Sequence, residues 1–255
     1  MPGKSRVSGL LFVLFLVFCS WLAKADEDLG KIVVANRASG SISVIDVASD
    51  EVTHVVLPTP MGSTKTPEPM YVNYAKAANL VLVGDRAHSQ VVAFDPVTYN
   101  VVDTVPTGAG IFHQWANTLQ GDKLWVNNDA DNTITVIDTV SLTVDMTIPL
   151  PADLGGRPHD VVLTECGTMA FVTLVGVDGP NDYVIKYKTR NGQELARAAV
   201  GKDPHVSVSR RNNFVYVMTQ EGSQALALTM ADLTVVDAVD VPSAHGAGTF
   251  IQMSL

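Results

Sequence analysis

Five times between residues 31 and 241 the chain writes a short alternating apolar run, a polar turn, a second run, another turn and a third run. The first runs are "KIVVAN", "NLVLVGD", "DKLWVNND", "TMAFVTLVG" and "NFVYVMTQ". "SISVID", "QVVAFD", "TITVID", "DYVIKYK" and "QALALT" follow them, and "VTHVVLP", "VVDTVPT", "VDMTIPL", "QELARAAVG" and "VVDAVDV" come third. An apolar period of two puts alternate side chains on one face of an extended strand, and the Gly, Asn, Asp and Pro bounding each run are turn formers. No long helical periodicity competes with this pattern.

A further strand opens most units, at "PMYVNYA", "HQWANTL", "HDVVLTE" and "HVSVSRR". Four strands repeating every 40 to 46 residues is the period of a propeller blade, a unit that covers its apolar faces only by stacking on neighbours. The first unit has no opening strand, and "HGAGTFIQMSL" reads as an opening strand with nothing after it. Joined, the two halves complete one blade and remove two exposed edges. The expected fold is therefore all-β: a five-bladed β-propeller of four-stranded antiparallel blades, closed by the N-terminal strands plus the C-terminal inner strand. A solenoid and a larger propeller cut short are the alternatives.

The residues ahead of the repeat follow another grammar. Lys4 and Arg6 precede "GLLFVLFLVFCSWLA", and Ala23-Lys24-Ala25 leads into "DEDLG". A basic start, an apolar stretch short for a membrane span and small residues at a cut site predict a signal peptide over 1–25, with one domain over 26–255. The expected location is periplasmic or secreted, with no membrane insertion after cleavage. Losing Lys4, Arg6 and Lys24 leaves 14 basic against 26 acidic side chains and moves the net charge from −9 to −12. Such a chain is a poor partner for nucleic acid. Cys19 would leave with the signal and Cys166 stands alone, which excludes an internal disulfide, a haem attachment motif and a cysteine-rich zinc site.

"VVANRASGSISVID", "LWVNNDADNTITVIDTVSLTVDMTIPL" and the Pro-His openings resemble the YVTN family of secreted β-propellers. The likeness is strongest in the first three units and weakens in the fourth and fifth, where "VIKYKTRNGQELAR" loses the Asp-ended third strand. It implies the propeller fold and leaves the function open, because propellers carry unrelated chemistries.

The chain has six histidines, and four fall at one phase of the repeat. Aligned on the opening strands, one column holds Met70, His113, His159, His205 and His245, at spacings of 43, 46, 46 and 40 residues. Opening strands line a propeller's central channel, so these side chains are expected to converge near one mouth. Imidazole is a common metal ligand and a thioether is a soft one, which makes copper the first expectation, particularly when reduced, and zinc the second. Asp160 and Asp203 are candidates for fixing the histidine tautomers. The ring is similar in type to the histidine-bound copper cluster of nitrous oxide reductases, although their cysteine-bearing electron-transfer domain is missing here. Virginiamycin B lyases, propellers with a catalytic His and a divalent cation, are a second precedent for location alone. In YVTN-like repeats such a histidine can instead bond a neighbouring blade's backbone.

Copper capture, storage or transfer, with a metal ion as partner and a periplasmic protein as a further candidate, is thus the first functional expectation, and no catalytic residue is nominated. A metal-free binding scaffold and a metal-dependent reductase or lyase at the same channel are the alternatives. His54 and His88 fall outside the column and read as surface or packing residues. Trp115 reads as a plug between blades, and Asp46, Asp95 and Asp138 as turn formers. "MGSTKTPEP" and "LVGVDGPNDY" are the longest polar loops. Ser-His-Asp order, a phosphate-cradling Gly loop and HExxH are all absent from the linear sequence.

Overall fold

The computed structural model describes residues 29–117, 119–209 and 211–241. The expected signal segment, His245 and the expected closing strand lie outside the described residues.

Each alternating run becomes a strand, and each unit becomes one antiparallel sheet that meanders in chain order. Sheet I holds β1 (Lys31–Asn36), β2 (Ser41–Asp46) and β3 (Val52–Val56). Sheet II holds β4 (Pro69–Ala75), β5 (Leu80–Asp85), β6 (Gln90–Phe94) and β7 (Val101–Pro106). Sheet III holds β8 (Ile111–Ala116), β9 (Lys123–Asn128), β10 (Thr133–Asp138) and β11 (Thr143–Pro149). Sheet IV holds β12 (Arg157–Leu163), β13 (Met169–Val175), β14 (Asp182–Lys188) and β15 (Gln193–Val200). Sheet V holds β16 (Pro204–Val208), β17 (Phe214–Thr219), β18 (Gln224–Thr229) and β19 (Val235–Asp240).

The period of two sets how the sheets stack. In β5, Val81 and Val83 pack with Ile42, Val44 and Phe94 between sheets I and II, while Leu82 between them joins Ile111, Leu124 and Val126 between sheets II and III. In β13, Val172 packs with Trp125 and Ile134 toward sheet III, and Phe171 with Val215 and Val217 toward sheet V. Four apolar cores thus fill four sheet-to-sheet gaps, each burying Val, Ile, Leu and aromatic side chains worth about 1.5–3 kcal/mol apiece. The strands farthest from the opening strand are solvated, β19 along its whole length. This is a propeller-like array of five sheets, four of them four-stranded.

The turn aspartates behave as expected. Asp46, Asp95 and Asp138 each accept backbone N–H bonds two and three residues on, closing the turn to the next strand. Trp115 packs against both cores flanking sheet IV. Among the described residues no helix is long and apolar enough to cross a membrane.

Candidate metal centre

Three of the opening strands carry the same irregularity. Pairing of β4 with β5 skips from Pro69 to Val72, of β8 with β9 from Ile111 to Gln114, and of β12 with β13 from Pro158 to Val161. In each case two residues oppose one: Met70 and Tyr71 face Gly84, Phe112 and His113 face Asn127, and His159 and Asp160 face Thr173. Strand β16 runs regularly, with His205 paired to Met218. A bulge re-aims its side chains and leaves backbone groups unpaired in the ladder. Neighbours take those groups up. Gln114 donates to the Tyr71 carbonyl at 3.0 Å, Asn127 donates to the His159 carbonyl at 3.0 Å, and the Asp160 N–H donates to Thr173 Oγ1 at 2.9 Å.

The bulges of β8 and β12 and the regular β16 deliver three imidazoles from three consecutive sheets to one place. Ring centroids lie 5.1 Å apart for His113 and His159, 4.8 Å for His159 and His205, and 5.7 Å for His113 and His205. One ring nitrogen from each can be chosen so that all three lie within 4.8 Å of one another. Nε2 of His159 and Nε2 of His205 are 3.2 Å apart. Two imidazoles on one tetrahedral ion, with bonds of about 2.0–2.1 Å, adopt a spacing of about 3.3 Å.

Asp160 organises two of the three rings. Its Oδ1 lies 3.1 Å from His113 Nδ1 and its Oδ2 lies 3.6 Å from His205 Nδ1. The carboxylate also accepts the N–H groups of Val161 at 2.8 Å and Val206 at 3.0 Å. Burial alone would raise its pKa, but His113, His205 and the Val206 N–H outweigh burial and hold it well below the usual carboxylate range. An ionised carboxylate facing both Nδ1 atoms assigns each of them a proton, which leaves both Nε2 atoms as lone-pair donors. Their present partners fit that tautomer: Tyr71 OH lies 2.8 Å from His113 Nε2, and the Gln220 amide nitrogen lies 2.7 Å from His205 Nε2.

Two neighbouring groups are held in their neutral forms. Burial and the neighbouring imidazoles of His113 and His205 push His159 down to about 4, against a smaller upward pull from Asp203 and Asp160. Burial, with Asp160 adding to it, pushes the Tyr71 phenol up to about 12, so at neutral pH it is a donor. Asp203 Oδ1 lies 3.7 Å from His159 Nε2, on the ligand side of that ring. Phe112 stacks on His159 at 5.1 Å.

Of the expected column, then, His113, His159 and His205 come together and His245 lies outside the described residues. Met70 is half-buried in the β4 bulge, and its neighbour Tyr71 touches His113. Asp160 takes the anchoring role expected of it, and Asp203 approaches Nε2 of His159, the nitrogen that faces His205, instead of backing that ring. Tyr71, Phe112 and Gln220 were not legible as site residues. Their signal is the strand register, which places Tyr71, His113 and Asp160 at one equivalent position and Met70, Phe112 and His159 at the other. His54, as expected, stays at the surface, bonded to Ser43 Oγ at 3.0 Å.

No family model and no curated protein matches the sequence. Solved structures do match in fold. Hydrazine synthase of Kuenenia stuttgartiensis superposes with a TM-score of 0.65 at 14% identity, over 82% of this chain and 65% of that one. A putative 6-phosphogluconolactonase from Bacteroides uniformis gives 0.66 at 13% identity, over 83% and 68%. A protein from Lactobacillus plantarum gives 0.66 at 16% identity, over 86% and 71%. The chain thus spans about two thirds of the length of the structures it resembles. Identities this low establish the kind of fold and nothing about chemistry.

Proposed function

We propose that the protein is a secreted or periplasmic metal-binding propeller that holds one divalent transition-metal ion through Nε2 of His113, His159 and His205. The observation that carries this reading is the shared Asp160 anchor, which turns two imidazoles so that their free nitrogens meet the third. Imidazole suits copper, zinc, iron and nickel, and copper in its divalent form heads the affinity order for such a site; zinc, which commonly takes three imidazoles, is the second candidate. Oxygen and amide groups of Tyr71, Asp203 and Gln220 border the three nitrogens, a harder setting than the thioether expected from Met70. That setting favours Cu²⁺ or Zn²⁺ over reduced copper. Capture and transfer of the ion is the function this geometry serves most directly.

Titration of untagged, metal-stripped protein with Cu²⁺ and Zn²⁺ in competition with a chromophoric chelator tests the reading. One ion per chain is expected to bind, with affinity falling at least about a hundredfold when all three histidines become Gln. Equal uptake by the folded triple variant contradicts it.

A second reading is favoured by one specific feature. Three protein imidazoles leave coordination positions for a substrate or water, as catalytic zinc sites do, and the protonated Tyr71 phenol stands beside one of the ligands. A metal-dependent hydrolase or lyase would use that position. Metal-dependent turnover lost in Tyr71→Phe, with metal binding not weakened, distinguishes it from capture alone. The scaffold reading expects the rings bonded to backbone atoms, whereas among the described residues the three rings are bonded only to side chains.

A further inference from the structure

His88 and the "MGSTKTPEP" loop hold a second constellation that the linear sequence hid. Asp85 ends β5 and is fully buried. Its Oδ2 accepts from His88 Nδ1 at 2.6 Å and from Gln90 at 3.3 Å, and its Oδ1 accepts the N–H groups of Glu68 at 2.8 Å and Ala87 at 3.2 Å. The proton on Nδ1 makes Nε2 the acceptor, and Ser63 Oγ lies 2.9 Å from it. The His88 side chain is 5% exposed, while Ser63 is half-buried. Expected at the surface or in packing, His88 is packed, and it also links a hydroxyl to a carboxylate across a 25-residue separation that sequence order cannot reveal.

The fold does not require this arrangement. The same four-residue turn follows β1, β9 and β17, where the place of Asp85 is taken by Asn36, Asn128 and Thr219, and the place of His88 by Ser39, Asp131 and Gly222. Those turns are held by neutral side chains: Asn36 donates to Ser43 Oγ at 2.8 Å, and Asn128 bonds to Thr135 Oγ1 at 2.8 Å. Among the described residues, sheet II is the one whose turn at this place combines a carboxylate with an imidazole and a serine hydroxyl.

A pocket of about 700 Å³, lined by Arg37, Lys65, Thr66, Glu68, Arg86 and Ala87 among others, meets the relay at Glu68 and Ala87, whose N–H groups bond Asp85. Its lining runs from Lys65, two residues past Ser63, to Ala87, which precedes His88. Glu68 pairs with Arg37 at 2.9 Å and Asp129 with Arg86 at 2.9 Å, whereas the Lys65 ammonium has no partner among the described residues. The N–H of Thr64, next after Ser63, is also without one there. A free N–H directly after a nucleophilic serine is a group that can take the oxyanion of an acyl-transfer intermediate.

We propose that Ser63, His88 and Asp85 form a metal-independent ester hydrolase site whose substrates are carboxylic esters carrying a second negative charge. Ser63 Oγ attacks the ester carbonyl carbon as His88 Nε2 takes its proton. The carbon–oxygen bond to the alcohol then breaks, and His88 returns that proton to the departing oxygen. Water attacks the acyl-serine, His88 takes its proton and restores it to Ser63, and the acid leaves. Asp85 is a positioning residue that holds the ring and stabilises its charged form, and Lys65 attracts the substrate's distal anion.

The full chain tests this with a fluorophosphonate probe and with two substrates, p-nitrophenyl acetate and p-nitrophenyl hemisuccinate. The probe is expected on the Ser63 peptide, lost in Ser63→Ala and His88→Gln variants that keep the wild-type melting temperature. Those variants lose on the order of 10³-fold in ester hydrolysis. Asp85→Asn, which places there the residue that ends β9, lowers kcat by roughly tenfold or more and leaves KM and melting unchanged. Hemisuccinate is preferred over acetate by about tenfold in kcat/KM, and Lys65→Gln removes the preference. All of this persists with chelator and in the variant lacking the three metal-centre histidines, so failure of either site is seen separately. Absence of both labelling and hydrolysis in the wild type, labelling untouched by His88→Gln, or activity lost with chelator overturns the relay; equal use of the two esters overturns the anionic substrate class.

Discussion

Changing Asp160 to Asn keeps an oxygen for the Val161 or Val206 N–H and removes the charge that faces Nδ1 of His113 and His205. Metal affinity is expected to fall roughly 10–100-fold while the fold persists, measured by chelator competition beside a thermal melt. The pH response belongs to the same cluster. His159, pushed down to about 4 against an ordinary 6.5, stays neutral where the unfolded chain takes a proton. The metal-free protein therefore loses stability as pH falls from 6.5 to about 4, by on the order of 3 kcal/mol, and is fully free of this penalty above 6.5. Asp160, ionised in the fold below its unfolded range, adds a further loss once pH drops through about 3.9. Urea midpoints at pH 7 and pH 4.5 should differ in the wild type and differ less in His159→Gln.

At the scale of elements, the strands were legible because a half-buried or buried strand writes itself as alternation, and residues such as Leu82 between Val81 and Val83 show which sheet gap each side chain enters. Truncating Leu82 to Ala is expected to cost about 2–5 kcal/mol in urea unfolding, since it lies fully buried between sheets II and III. The bulges were not legible. An extra residue in β4, β8 and β12 leaves the apolar pattern on both sides intact, so a column drawn through the sequence pairs Met70 with His113 where the register pairs Tyr71 with it. A matched pair of substitutions separates the two alignments. Tyr71→Phe releases His113 Nε2 from a hydrogen bond worth ~1 kcal/mol and should tighten metal binding a few-fold, whereas Met70→Leu should leave it unchanged. Weakening by Met70→Leu with no effect of Tyr71→Phe restores the thioether as a ligand.

Across the whole molecule, five sheets stacked through four apolar cores place the starts of the opening strands on one face, and the histidines of sheets III, IV and V meet there because their strands are neighbours. Arg86, in the turn after β5, reaches over Phe112 at 5.8 Å, and Phe112 stacks on His159, so the basic pocket of sheet II adjoins the metal centre. The repeat period located the histidines, but their mutual distances depend on stacking and on Asp160, a residue whose role in sequence was no more than adjacency to His159. The Ser63 relay was invisible for a related reason: its members come from a loop and a turn joined only when sheet II forms. X-ray absorption of protein loaded with one equivalent of Cu²⁺ or Zn²⁺ at about pH 7.5 examines the convergence of the three rings directly. The predicted result is a first shell containing three imidazole nitrogens at about 2.0–2.1 Å, lost when His113, His159 and His205 are Gln. A shell of oxygen alone, or one unchanged in that variant, contradicts a metal centre at this position.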